Sequence, residues 1–255
     1  MSKTIISVFS QKGGVSKTTT AINIATCMAM KGKKVLLIDN DPQGNASEAL
    51  GLYDKEKNIY NVMMDGIQIS DVIYETSIEN LYMVPANILH ADSEVKLINE
   101  FSRETVLSKA LRKVANNYDY VIIDCPPSLG LLSINSLAAS THLIVPIKVS
   151  KYALRGLKNL LSTVDKVKEH LNEDLKMAGL VVAIDEPNTK ISREIKQELK
   201  SSLGSLVFNT CISKTTKVVE SEFEDKPVVL YAEGTKVAKE YMSLTEEVIE
   251  RVNSK

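Results

Sequence analysis

The sequence predicts an α/β fold: a doubly wound, mostly parallel sheet flanked by helices, with an anion-binding loop after the first strand. Three observations predict it. Short β-branched or aliphatic runs recur along the chain, segments of helical period separate most of them, and the first run leads into a turn with two adjacent glycines. Parallel strands are joined only by long crossovers, so this alternation calls for helices packed on both faces of one sheet.

The strand candidates, in order, are residues 4–9, 34–38, 81–84, 120–123, 142–147 and 178–184. Several are apolar throughout rather than alternating, the pattern of strands buried on both faces. Apolar residues at helical spacing mark 21–30, 95–114, 154–171, 191–203 and 237–252 as helices. Lys31-Gly32-Lys33 and Asn116-Asn117 punctuate helix ends ahead of the next strand. With no internal repeat, low-complexity tract or linker, residues 1–255 are expected to form one domain.

Composition narrows the function classes. Hydrophobic residues at 44% and charged residues at 25% exclude disorder as the main state. A formal net charge of −1 means that any contact with nucleic acid must come from a local patch. The absence of Trp and an aromatic content of 5% disfavour base-stacking platforms. Cys27, Cys125 and Cys211 lie far apart with no Cys or His at metal-ligand spacing, so they read as small buried hydrophobes in a reducing cytosol. No signal segment opens the chain and no apolar run approaches the roughly 18 residues of a membrane span. A cytoplasmic protein without a membrane partner is expected.

Residues 12–18, Lys12-Gly13-Gly14-Val15-Ser16-Lys17-Thr18, join the first strand to the first helix. Paired glycines let successive backbone N–H groups turn toward an anion, and the helix that follows adds its positive dipole end. The ligand this suits is a nucleoside triphosphate: Lys17 is placed for the outer phosphates and the Thr18 hydroxyl for magnesium. Gln11 and Ser16 stand where the common G-x-x-x-x-G-K-[ST] loop has its glycines.

Two strand tips add carboxylates at the same sheet edge, where open α/β sheets bind ligands. The second strand runs into Asp39-Asn40-Asp41-Pro42-Gln43-Gly44-Asn45. The run Tyr120-Val121-Ile122-Ile123-Asp124-Cys125-Pro126-Pro127 ends in one carboxylate and a double-proline turn. That is Walker B geometry, with Asp124 able to hold magnesium through water beside Thr18.

With its extra lysine at Lys12, the loop resembles the deviant Walker A pattern K-G-G-x-G-K-[ST], and the chain resembles the ParA/MinD group of P-loop ATPases over its full length. The resemblance implies that Gln11 through Thr19 (Gln11, Lys12, Gly13, Gly14, Val15, Ser16, Lys17, Thr18 and Thr19) bind ATP, with Lys12 and Lys17 acting on the phosphates. It implies that Lys12 reaches the partner's phosphates in an ATP-bound homodimer, that Asp41 positions the attacking water, and that Asp39 supports the loop lysine and the metal. Further likeness lies in 142–147, in Tyr152-Ala153-Leu154-Arg155-Gly156-Leu157 and in the C-terminal third. Because the loop begins about ten residues in, an N-terminal helix-turn-helix extension is not expected, and the chain resembles the compact, Soj-like kind.

In that family basic residues of the C-terminal half bind DNA. Between Glu186 and Lys217, the six basic residues Lys190, Arg193, Lys196, Lys200, Lys214 and Lys217 face three glutamates, a modest excess that a solvated helix face would also show. The resemblance assigns DNA contact to Arg193, Lys214 and Lys217, while Ser213 stands where relatives have a proline. The implied function is plasmid or chromosome partitioning with a ParB-like partner and nucleoid association, with slow, partner-stimulated hydrolysis. The alternatives are a MinD-like membrane switch, against which the acidic balance of 245–252 argues, a metabolic or redox P-loop enzyme, and a hydrolysis-weakened scaffold.

Overall fold

The computed structural model describes residues 4–150 and 153–254. Among them seven strands form one sheet: β1 (Thr4–Val8), β2 (Val35–Asp39), β3 (Tyr74–Glu75), β4 (Leu81–Val84), β5 (Tyr120–Asp124), β6 (His142–Lys148) and β7 (Lys176–Ala183). Their order is β3-β4-β2-β5-β1-β6-β7, and every pairing is parallel except β3 with β4. The doubly wound class holds.

The helices are α1 (Lys17–Met30), α2 (Asn45–Ala49), α3 (Ile59–Met64), α4 (Ala91–Lys96), α5 (Val106–Leu111), α6 (Leu131–Ala139), α7 (Ala153–His170), α8 (Lys190–Leu203), α9 (Thr216–Phe223), α10 (Val228–Tyr231) and α11 (Lys236–Asn253). Strand residues alternate between two cores. Ile5, Leu36, Val121 and Leu143 pack on one face with residues of α3, α5, α6 and α7, while Ile6, Leu37, Ile122 and Ile144 pack on the other with α1, α10 and α11. That double burial is why the central strands lack polar alternation. Cys27 and Cys125 are buried and Cys211 is half-buried, all three as free thiols.

The expected helix over 95–114 is not continuous. The chain leaves α4 through a short 3-10 turn, passes Ser102 at φ 53°, and re-enters helix only at α5. Its middle has nothing to bury against: Phe101 is 97% exposed, while Leu97 and Leu107 on either side reach the core. The two-residue edge strand β3 and the small-residue helix α6 were not predicted. A two-residue strand carries no period, and a helix buried over most of its length shows no polar stripe.

Helix α11 uses up its apolar face inside the protein. Val237, Ala238, Tyr241, Leu244, Val248 and Val252 are buried, and the Arg251 guanidinium donates to the carbonyls of Ala178, Leu206 and Val207 while lying 4.1 Å over the Phe208 ring. Among the described residues no helix is long and apolar enough to cross a membrane.

Candidate active site

Sheet order assembles the site. β1 pairs with β5, and β5 with β2, so that Val8, Asp124 and Asp39 lie level at the same edge. The phosphate-loop candidate leaves β1, the Asp39-Asn40-Asp41 turn leaves β2, and the double-proline turn leaves β5. Sequence positions more than a hundred residues apart become neighbours for that reason.

The loop itself is tightly wound. Gly14 takes φ 67° and Ser16 takes φ 62°, both left-handed, before α1 begins at Lys17. No side chain caps the start of α1 and its first turn holds no acidic residue, so its N–H groups stand free for an anion. A Cβ built at Gly13 or Gly14 would meet nothing within 4 Å, leaving the loop crest open to a ligand. Lys17 is 7% exposed, while Lys12 is exposed at the head of the loop, its Nζ 3.5 Å from the Ser150 hydroxyl. The Tyr152 end of the 152–157 likeness lies outside the described residues.

The three aspartates divide the work. Asp39 is fully buried and its oxygens are already engaged: Ser47 donates from both its N–H and its hydroxyl, and the Asp41 N–H donates at 3.1 Å. It fixes the turn, and Oδ1, which accepts one bond only, keeps acceptor capacity. Burial outweighs these bonds and raises its carboxyl to about 7. Asp41 accepts from the Gln43 N–H at 3.0 Å; burial raises its pKa, with that bond and the Lys17 charge acting against the rise. Asp124 has both carboxylate oxygens buried without a hydrogen-bond partner. Its pKa rises, first through burial and then through the Asp39 charge, with the neighbouring Thr18 hydroxyl acting against the rise. An orphaned carboxylate beside a threonine hydroxyl, in a site with surplus negative charge, suits a divalent cation held partly through water.

A cavity of about 1130 Å³ runs from Gly13, Lys17 and Asp41 to a far wall that includes Ile184, Ser213 and Glu222. Of that wall the sequence reading singled out Ser213 and Lys214 only. Thr19 donates to Glu222 of α9 at 3.4 Å, joining the loop helix to the wall. Ile184 takes φ 57°, rare for a β-branched residue, and turns the chain so that Asp185 accepts from Ser192 and Lys196 of α8. Ser213 donates from its N–H to Glu240 at 2.8 Å and from its hydroxyl at 2.6 Å. A proline there could not make the first bond.

The candidate DNA residues lie on and between α8 and α9, and most basic residues of this region are paired. Lys214 meets Glu186 at 2.6 Å, Lys217 meets Glu220 at 2.6 Å, Lys196 meets Asp185 at 2.7 Å and Lys190 meets Glu194 at 3.6 Å. Arg193 and Lys200 are exposed, and no ion pair engages them among the described residues. The local excess of three therefore shrinks, because Asp185 and Glu220 lie just outside the counted window. A second cavity, about 560 Å³, is lined by Glu186, Lys214, Thr215, Lys217, Thr235 and Lys236, where α9 and α11 begin.

Comparison with known proteins agrees with this geometry. The AAA_31 family model, described as an AAA domain, matches residues 3–177. The sporulation initiation inhibitor protein Soj of Bacillus subtilis is 42% identical over 246 residues, covering 96% of this chain and 97% of the relative. The chromosome-partitioning ATPase Soj of Treponema pallidum is 38% identical over 251 residues, with 98% of each chain covered. Among solved structures, cobyrinic acid a,c-diamide synthase of Mycobacterium smegmatis, with bound ATP analogue and magnesium, matches at TM-score 0.86 and 32% identity, covering 99% of this chain and 97% of that one.

Proposed function

The chain belongs to the Soj/ParA family of partitioning ATPases, and we propose that it binds ATP with Mg2+ and hydrolyses it slowly. In this reading its ATP-bound homodimer holds DNA nonspecifically under the control of a ParB-like partner. One observation carries the catalytic part: an uncapped helix start, the buried Lys17, Thr18 and Asp41 line one cavity, and the buried Asp124 carboxylate stands beside Thr18.

Each residue has a task that its surroundings support. The N–H groups of the loop and of the first turn of α1 receive the phosphates, and Lys17 offsets their charge. Thr18 and Asp124 would hold Mg2+, which neutralises charge developing on the transferred phosphoryl group. Asp41 orients the attacking water, its carboxylate fixed by the Gln43 N–H. Lys12, exposed at the head of the loop with only a 3.5 Å contact to the Ser150 hydroxyl, reaches a second subunit's phosphates in this reading.

For DNA, Arg193 and Lys200 supply unpaired charge, and Lys214 and Lys217 join once phosphates displace Glu186 and Glu220. The MinD-like alternative loses its membrane helix, because the apolar face of α11 is buried in the protein. A ParB-like protein, a nucleoid location and one domain over 1–255 complete the reading.

Co-sedimentation with DNA in the absence of nucleotide, with ADP and with ATP tests binding and switching together. Retention with ATP alone is expected, and Lys12→Ala should abolish it along with the ATP-dependent rise in mass by light scattering. Equal retention and equal mass in ADP and ATP would refute the switch.

A further inference from the structure

Between the two aspartates of the β2 turn stands an asparagine whose bonds lead away from the nucleotide cavity. Asn40 is completely buried; its N–H donates to the Asp124 carbonyl at 2.9 Å. Its side-chain amide donates to the Leu132 carbonyl at 2.9 Å and to the Ser136 hydroxyl at 2.8 Å, both on α6. Both amide protons are thereby used, so Oδ1 must accept, and it lies 2.9 Å from His90 Nε2. The ring therefore carries its proton on Nε2, and Nδ1 accepts from the Ser93 hydroxyl at 3.1 Å. Donors run in one direction, Ser93 to His90 to Asn40 to α6, with every member satisfied.

His90 has no task in filling a gap between apolar neighbours of its own turn. Ile88 and Leu89 beside it are 57% and 56% exposed, so the turn before α4 is held by hydrogen bonds, those of the ring and those to Asn87, rather than by burial of those side chains. One turn further on, the Glu94 carboxylate accepts from the N–H groups of Leu131 and Leu132, capping α6. Segment 90–94 thus grips both the Asp41 turn and the helix that follows the double proline.

We infer that His90 is a positioning residue for ATP hydrolysis, acting through Asn40 to fix the backbone that aims Asp41 at water. The inference rests on the reading that Asp41 orients the attacking water. A buried polar chain of this kind costs desolvation that an apolar pair would avoid, and what it supplies in return is direction: it admits one placement of Asn40, hence one of Asp41. The Asp41 carboxylate itself accepts one bond, from the Gln43 N–H, while its backbone donates to Asp39 and accepts from the Gly44 N–H.

The test is a double-mutant cycle on the full-length chain, read as ATP turnover with Mg2+ and as affinity for a non-hydrolysed ATP analogue. His90→Leu should lower kcat about tenfold or more, within the hundredfold that a 1 Å misplacement costs, and leave analogue affinity within about twofold. His90→Gln, which restores a donor at the Nε2 position, should recover most of the turnover. In an Asn40→Leu background His90→Leu should cause no further loss, because the route is already cut. If a single leucine variant fails to fold, the double variant Asn40→Leu/His90→Leu, which removes both ends of the His90–Asn40 bond at once, should fold and show the same loss. Parental kcat in folded His90→Leu or in the double variant overturns the inference, as does an undiminished effect in the Asn40→Leu background. A parent protein that hydrolyses no ATP overturns the ATPase reading and this inference with it.

Discussion

Replacing Ser16 by glycine should stabilise the protein and leave ATP affinity nearly unchanged. Ser16 sits at φ 62° and ψ 36°, immediately before α1, and its side chain caps nothing. An L-residue in this left-handed region costs about 1–2 kcal/mol. Glycine removes that cost but adds about 0.4–1 kcal/mol of unfolded-state entropy, so the net gain is about 0.5–1 kcal/mol. For a chain of 255 residues that corresponds to a rise in Tm of about 1–4 °C. Ser16 is left-handed in the fold itself, so the strain falls on folding. Calorimetry with a non-hydrolysed ATP analogue should therefore give a Kd within about twofold of the parent. An unchanged Tm together with a tenfold gain in affinity would refute this reasoning, since it would mean that serine relaxes in the free loop and is strained only by ligand.

The other predictions probe separate parts of the molecule. Asp41→Ala should retain ATP and lose about 10²–10⁴-fold in turnover, whereas Asp124→Ala should also weaken Mg2+-dependent nucleotide binding; single-turnover assays and calorimetry separate the two. Arg193→Ala should weaken DNA binding equally on unrelated duplexes and reduce the slope of log affinity against log salt by about 1 per protomer, while Glu186→Gln, which frees Lys214, should tighten binding at low salt. Ser213→Pro forfeits both bonds to Glu240, costing roughly 2–4 kcal/mol and lowering Tm by about 4 °C or more in thermal melts. His90, held near pKa 3 by burial against an ordinary 6.5, stays neutral in the fold while the unfolded chain takes up a proton; its own contribution to stability should fall by about 2 kcal/mol from above pH 6.5 to pH 5, against the opposite effect of the raised Asp39 carboxyl, so the loss is read as the difference between the parent and His90→Gln in denaturant titrations.

The catalytic half of the site was legible because its chemistry is local. Residues 12–18 follow one strand, and Asp39, Asp41 and Asp124 sit at or just past the ends of two others, so a parallel sheet brings them to one edge wherever the strands stand in its order. Most of the far wall was not legible: Ser213 stood out against its relatives, but Ile184 and Glu222 meet the loop only through tertiary packing and no spacing announces them. Counting charges over a sequence window likewise missed Asp185 and Glu220, which neutralise lysines from outside it. The continuous helix over 95–114 failed for a different reason: apolar residues at helical spacing do not specify a helix when Ile98 and Phe101 in the middle of it face solvent.

Departures from local backbone rules gather where the ligand is expected. Among the described residues the non-glycine positions with positive φ are Ser16, Asn80, Ser102, Ile184 and Asp225. Ser16, Ile184 and Asp225 line the large cavity, and Ile184 is the one residue type here for which the conformation is a true outlier. Strain of about 1–3 kcal/mol at such a position persists only when neighbours over-determine it. At Ile184 they do: the next residue, Asp185, bridges to Ser213 and accepts from Ser192 and Lys196. The cavity wall is therefore shaped at the expense of folding, by contacts within the chain itself. That is also why relief of strain at Ser16 should appear in the melting temperature and not in the affinity for ATP.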